Sequence, residues 1–221
     1  MLKIGHRGAR AYEPENTLRS FNRAVELGVD AVELDVRQTK DGELVVIHDP
    51  EVDKTTNGKG AVKDLTLKQI KSLDIGKGEK IPTLAETLDF IDKKVKILIE
   101  LKDSGYEDEV LKAVHDRGLE RNVIIVSFHE DALRKVRTLD GAVHTGLIYV
   151  THKNPVKAAL DLKAQYLLQL YRFVHTADVQ KAHDNGLKVI VWTINKSEEV
   201  AAYVKKGVDG IASDKPDILK A

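Results

Sequence analysis

The chain has 221 residues, 42% hydrophobic and 32% charged, with 35 basic and 35 acidic side chains and a formal net charge of zero. That length supports a real hydrophobic core, and the balanced charge gives no overall pull toward nucleic acid or an anionic membrane. With no cysteine, a disulfide framework and a thiolate metal site are excluded, so any metal must be held by oxygen or imidazole.

The opening MLKIGHRGAR lacks the apolar core of a signal peptide, and no apolar run reaches membrane-span length. A cytoplasmic protein without stable membrane association is expected. Leu2 to Ile4 is a short apolar run ending in Gly5-His6-Arg7-Gly8. After Pro14-Glu15-Asn16-Thr17, Thr17 is placed to cap a helix in which Leu18, Phe21 and Val25 share a face, with Gly28 at its end.

Next comes AVELDVRQTKDGELVVIHD, Ala31 to Asp49. Side chains alternate along a strand, so Glu33 and Asp35 share one face and Val32, Leu34 and Val36 the other. Asp41-Gly42 suits a two-residue type I′ loop. That loop pairs Lys40 with Glu43 and Thr39 with Leu44, which predicts His48 directly opposite Asp35. From Pro50 to about Pro82 the pattern weakens into Thr, Gly and Lys, with one short helix at Leu67 to Leu73. This stretch reads as an insertion near the mouth of a site rather than a second domain.

The alternation then resumes. Thr83 caps the helix LAETLDFIDK, and VKILIEL is a strand that places Glu100 and Lys102 on one face at its end. Helices around Tyr106 to Arg117, Asp131 to Thr138, after Pro155 and from Ala177 to Asn185 alternate with the strands VIIVSF, HTGLIYV, Tyr166 to Leu170 and KVIVWTI. The helix SEEVAAYVKKG and the segment VDGIASDKPDIL complete the chain.

Strands rich in Val, Ile and Leu, separated by amphipathic helices, indicate a parallel sheet covered by helices. About eight β units favour a (β/α)8 TIM barrel over residues 1–221, with the insertion at about 50–82 following the second strand's hairpin. An open doubly wound sheet is the alternative. It lacks support from any dinucleotide fingerprint or P-loop.

In a barrel the apolar trio of the second strand faces the helices and the carboxylates point inward. Two inward carboxylates are costly unless they are paired or bind a cation. Glu100 would complete an all-oxygen set with Glu33 and Asp35, suited to Mg²⁺ or Ca²⁺. Arg7 and Lys102 add positive charge, and with His6 and His48 they point to an anionic substrate, most simply a phosphate ester.

These residues carry a resemblance. HRG with PENT, then ELDV-x-x-T-x-DG-x-LVV-x-HD, IELK, VWTIN and VDGIASDKP occur in that order along nearly the whole chain, which resembles the glycerophosphodiester phosphodiesterase family. The resemblance implies a TIM barrel that hydrolyses glycerophosphodiesters to an alcohol and sn-glycerol 3-phosphate. It implies His6 and His48 as the general acid–base pair, and Glu33, Asp35 and Glu100 as ligands of a divalent cation, Mg²⁺ or Ca²⁺ with Mn²⁺ compatible. Arg7 and Lys102 would contact the phosphate, and Trp192 would lie near the glycerol end. Two other readings stand beside it: lysophospholipase D-like action on lysophospholipids, and a barrel that binds phosphodiesters without turnover.

Several residues have plainer readings. Glu15 and Asn16 are expected to shape the approach to the first helix, with orientation of Arg7 or a ligand as the alternative, Asp214 to close the last barrel unit, and Phe128 to be core or pocket wall. His129, His152 and His175 fall in β-to-α connections and are not expected to touch substrate.

Overall fold

The computed structural model describes residues 1–220. Eight parallel strands form the barrel: β1 (Leu2–Gly5), β2 (Ala31–Gln38), β4 (Lys96–Leu101), β5 (Val123–Ser127), β6 (His144–Tyr149), β7 (Tyr166–Leu170), β8 (Lys188–Trp192) and β9 (Gly210–Ser213). A ninth strand, β3 (Leu44–Val46), runs antiparallel to β2. Because β1 pairs with both β2 and β9, the sheet closes on itself, which excludes the open sheet.

Helices α1 (Leu18–Glu26), α2 (Leu67–Ser72), α3 (Leu84–Ile91), α4 (Glu107–His115), α5 (Glu130–Leu139), α6 (Pro155–Asp161), α7 (Thr176–His183) and α8 (Ser197–Lys205) connect the strands. The caps expected from sequence are formed. The Thr17 side chain accepts from the backbone N–H of Ser20, and Thr83 makes a capping box with Glu86. Gly28 takes φ +78° after α1. The buried face of α1 is Ser20, Phe21 and Ala24; Val25, assigned to that face above, is only half-buried.

Strand alternation sorts the core into two shells. Val32, Leu34 and Val36 of β2 and Ile97, Ile99 and Leu101 of β4 pack outward under α1, α3 and α4. Ile4, Ala31, Leu98, Ile124, Val126, Ile148, Leu168 and Ile190 fill the barrel interior. Burying each such Val, Leu or Ile contributes roughly 1.5–3 kcal/mol, so both faces of these strands must be apolar. The carboxylates Glu33, Asp35 and Glu100 interrupt the inner face toward its C-terminal end.

The hairpin corrects one expectation. Val36 pairs with Val46, Arg37 with Val45 and Gln38 with Leu44, so Asp35 lies opposite Ile47 rather than His48. The turn is one residue longer than a type I′ loop. Gly42 (φ +85°) donates to the carbonyl of Thr39, and Thr39 donates to the carbonyl of Glu43. Three loop residues with a left-handed glycine last is the G1-bulge solution, and it moves the register by one. Pairing ends at Val46, and His48 follows in a bend that is free of strand alternation.

The stretch after the hairpin has its own apolar cluster of Val52, Val62, Ile70, Ile75 and Ile81, which packs on Val45 and Ile47. Lys77 ties it to the β1–α1 loop through the carbonyl of Tyr12 (2.8 Å) and the carboxylate of Glu13 (2.8 Å).

The same β1–α1 loop is pressed against α1. A Cβ on Gly8 would meet the Ser20 backbone carbonyl at 2.6–2.7 Å, and Gly8 has φ +80°. Gly8→Ala is therefore expected to destabilise the protein by about 2–3 kcal/mol, read as a lowered urea midpoint at unchanged m-value.

Candidate active site

A cavity of about 380 Å³ opens at the C-terminal ends of the strands, and its two halves differ in chemistry. His6, Arg7 and Arg10 from the end of β1 and its loop, Glu33 from β2, His48 beyond β3, and Glu100 and Lys102 at the end of β4 make one half. Val126, Phe128, Ile148, Leu168, Ile190, Trp192, Thr193 and Ala212, from β5 to β9, make the other.

Barrel register brings the acidic side chains together. Asp35 and Glu100 are paired neighbours on β2 and β4, and Glu33 is two residues back on the same face as Asp35. The three carboxylates offer oxygens within 4.8 Å of one another, and all are buried. Glu33 is pushed well above the usual carboxylate range by burial and by Asp35 and Glu100. Glu100 is pushed up to about 7 by burial and Asp35. Burial works against an ionised Asp35 too, but Lys102, Arg7 and His48 outweigh it and hold it at about 2. Asp35 Oδ1 is buried without a hydrogen-bond donor; Lys102 Nζ lies 3.3 Å away. A buried, unpartnered carboxylate oxygen inside a cluster of three such groups fits an oxygen-liganded divalent cation.

The surrounding residues fix these carboxylates. Asn16, a left-handed residue (φ 58°), donates from Nδ2 to Asp35 Oδ2 at 2.8 Å. Arg7, also left-handed (φ 51°), donates its backbone N–H to Glu33 Oε2 at 2.8 Å. Its guanidinium reaches Glu15 (2.8 Å) and lies 3.2 Å from Asp35. Asn tolerates this backbone region, whereas Arg occupies it at a cost of order 1 kcal/mol. Of the two readings the sequence left open for Glu15 and Asn16, the orienting one is realised: Glu15 holds Arg7 and Asn16 holds Asp35. Lys102 Nζ bonds Glu100 Oε1 at 2.5 Å.

Both histidines have Nδ1 engaged by a carboxylate. His6 Nδ1 lies 2.6 Å from Asp214 Oδ1, and its Nε2 faces Glu33 at 4.0 Å. His48 Nδ1 lies 2.8 Å from Asp49 Oδ1. Burial raises Asp214, but its bond to His6 and the nearby charge of Arg10 more than reverse this, leaving it below the usual range. Asp49 is lowered in the same way against burial, by His48 and Lys54. Ionised carboxylates only accept, so in each histidine Nδ1 carries the proton and Nε2 is left to exchange one. Burial also lowers His48 below the ordinary histidine value.

Asp214 is more than the turn residue that sequence suggested, and Asn195 went unread. Asn195 Nδ2 donates to Asp214 Oδ2 at 2.7 Å, and its Oδ1 accepts the Asp214 backbone N–H at 2.9 Å. The only local signal was an Asn and an Asp just past two strand ends. Trp192 lines the cavity, donates its indole N–H to the Leu168 carbonyl at 3.1 Å, and meets Phe128 edge-to-face at 5.8 Å. His129, His152 and His175 do not line this cavity.

The chain matches the model of the "Glycerophosphoryl diester phosphodiesterase family" over residues 6–218. It is 42% identical to a glycerophosphodiester phosphodiesterase of Caldanaerobacter subterraneus subsp. tengcongensis, covering 99% of this chain and 96% of that protein. It is 32% identical to one of Bacillus subtilis, covering 99% and 85%. Among solved structures, an Oleispira antarctica phosphodiesterase in complex with the product sn-glycerol-3-phosphate superposes with a TM-score of 0.91 at 28% identity, covering 98% of this chain and 94% of that one.

The raised Glu100 has a measurable consequence. With the cation chelated, its pKa is above the unfolded value of 4.5, so the folded chain binds more protons and loses stability as pH rises from about 4.5 to about 7. Glu100→Gln removes that loss. In EDTA the variant should match the parent near pH 4.5 and exceed it by on the order of 2 kcal/mol above pH ~7, in urea unfolding across pH. If Glu33, Asp35 and Glu100 together hold a divalent cation, adding one should stabilise the parent and not the variant.

Proposed function

The chain belongs to the glycerophosphoryl diester phosphodiesterase family and is a glycerophosphodiester phosphodiesterase, and on that footing we propose that His6 and His48 move the protons of a metal-assisted hydrolysis yielding an alcohol and sn-glycerol 3-phosphate. One observation carries this reading: two imidazoles flank the acidic cluster, each with Nδ1 tied to an ionised carboxylate and Nε2 unclaimed by a hydrogen bond. Binding a phosphodiester would require neither arrangement.

Glu33, Asp35 and Glu100 would hold the cation, and their oxygen donors suit Mg²⁺ or Ca²⁺, with Mn²⁺ compatible. Bound there, a divalent cation supplies Lewis-acid stabilisation of charge on the phosphoryl oxygens. The chain's own residues handle the protons. One imidazole Nε2 removes a proton from water as the water oxygen bonds to phosphorus. The other imidazole, protonated beforehand, gives its proton to the alkoxide released when the phosphorus–oxygen bond breaks. A first attack by the glycerol 2-hydroxyl needs the same pair of transfers.

Asp214 and Asp49 keep each ring turned with Nε2 toward the reacting atoms and stabilise the imidazolium form. Lys102 and Arg7 offset the cluster's negative charge and face the phosphate from the same side. Trp192 and Phe128 shield the carbon-bearing part of the substrate from water.

His6→Ala and His48→Ala should each lower kcat at least about 10²-fold, while the divalent cation still raises the melting temperature. Asp214→Asn should lower kcat by on the order of 10²-fold with KM little changed. Steady-state kinetics on glycerophosphodiesters measures all three. Full activity in excess EDTA would remove the cation from the reaction.

A further inference from the structure

Most charged side chains lining the catalytic cavity are held by short contacts. Arg7 is held by Glu15 (2.8 Å) and Asp35 (3.2 Å), and Lys102 by Glu100 (2.5 Å) and Asp35 (3.3 Å). Arg10 differs. Its Nε lies 3.3 Å from Glu15 and 3.7 Å from Asp214 without a hydrogen bond to either, and its side chain is 32% exposed. The two carboxylates that balance it do not line the cavity. The surface offered to a ligand is therefore the guanidinium, while the compensating charge lies behind it.

The location of Arg10 follows from one shared atom. Asp214 Oδ1 is 2.6 Å from His6 Nδ1 and 3.7 Å from Arg10 Nε. The guanidinium therefore stands beside His6, where a substituent leaving the phosphate on that side would pass. Across the cavity stand Val126, Phe128, Ile148, Leu168, Ile190 and Trp192, which bring no carboxylate. The only lining carboxylates are Glu33 and Glu100, both in the acidic cluster. An alcohol bearing hydroxyls or an anionic group gains donors from Arg10. An alcohol bearing an ammonium meets a like charge and finds no free acid.

Resting on the phosphodiesterase reading, we infer that Arg10 is a specificity-determining residue that selects diesters of neutral polyol or anionic alcohols over those of cationic amino alcohols. Its contact belongs to the substrate's alcohol portion, so its effect on which diester is taken is separable from the support its charge gives Asp214.

The test measures kcat and KM for glycerophosphoglycerol, glycerophosphocholine and glycerophosphoethanolamine with the parent, Arg10→Gln, Arg10→Lys and Arg10→Glu, all checked for folding by thermal melting. The parent should favour glycerophosphoglycerol in kcat/KM. Arg10→Gln should reduce that preference about tenfold, chiefly through KM, Arg10→Lys should keep its direction, and Arg10→Glu should invert it. If Arg10 only steadied Asp214 and His6, its variants would lower kcat on all three diesters alike with the preference unmoved, and the inference would fall. A parent that favours the choline diester, unmoved in Arg10→Glu, would assign recognition to the Phe128–Trp192 pair instead. A parent that hydrolyses none of the diesters would overturn the phosphodiesterase reading itself, whereas turnover with an unmoved ranking would overturn only the role of Arg10.

Discussion

Three carboxylates buried within 4.8 Å of one another repel by roughly 3–4 kcal/mol per charged pair at an effective dielectric of about 20. The rest of the site is arranged around that repulsion. Protons on Glu33 and Glu100 relieve part of it, as their raised pKa values record. Lys102 and Arg7 relieve another part, which is why their cations lie against carboxylates. What remains is the unpartnered oxygen of Asp35, and a divalent cation would satisfy it. Backbone geometry follows the same demand, since the left-handed turns at Arg7 and Asn16 exist to aim an N–H and an amide at these acids.

A closed barrel lets such a cluster exist without disturbing the rest of the core. Each strand contributes only one or two residues to the rim, so the charged side chains lining the cavity come from β2, β4 and the segments after β1, β3 and β4, while β5 to β9 continue the hydrocarbon interior upward. One side of the cavity thus orders charge and the other excludes water. Exclusion strengthens every electrostatic interaction on the polar side. The alternation along β2 serves both purposes at once: Val32, Leu34 and Val36 anchor the strand to helices, and this holds Glu33 and Asp35 firmly in place.

What was legible in the sequence depended on the range over which each feature is determined. Strands and helices were readable because Val-, Ile- and Leu-rich runs and the caps at Thr17 and Thr83 are local. Glu33 and Asp35 were readable as a pair because a two-residue spacing forces one face. The hairpin register was not readable from Asp41-Gly42 alone, since a glycine with φ +85° serves a two-residue turn and a bulged three-residue turn equally well. His48 nonetheless reaches the cavity, because pairing ends before it and the face rule no longer applies. Asp214 and Asn195 were hidden for a different reason. Their roles exist only through the β1–β9 pairing, and no local pattern reports a partner 208 residues away.

With His6 and Asp214 in the roles proposed for them, that same pairing ties catalytic competence to the completion of the barrel. His6 precedes by 208 residues Asp214, the carboxylate that engages it, which follows β9. On the roles proposed for these two residues, full turnover waits until β9 has paired with β1. Turnover becomes a signature of barrel closure itself, and fraying at β9 would lower it by releasing Asp214 from His6.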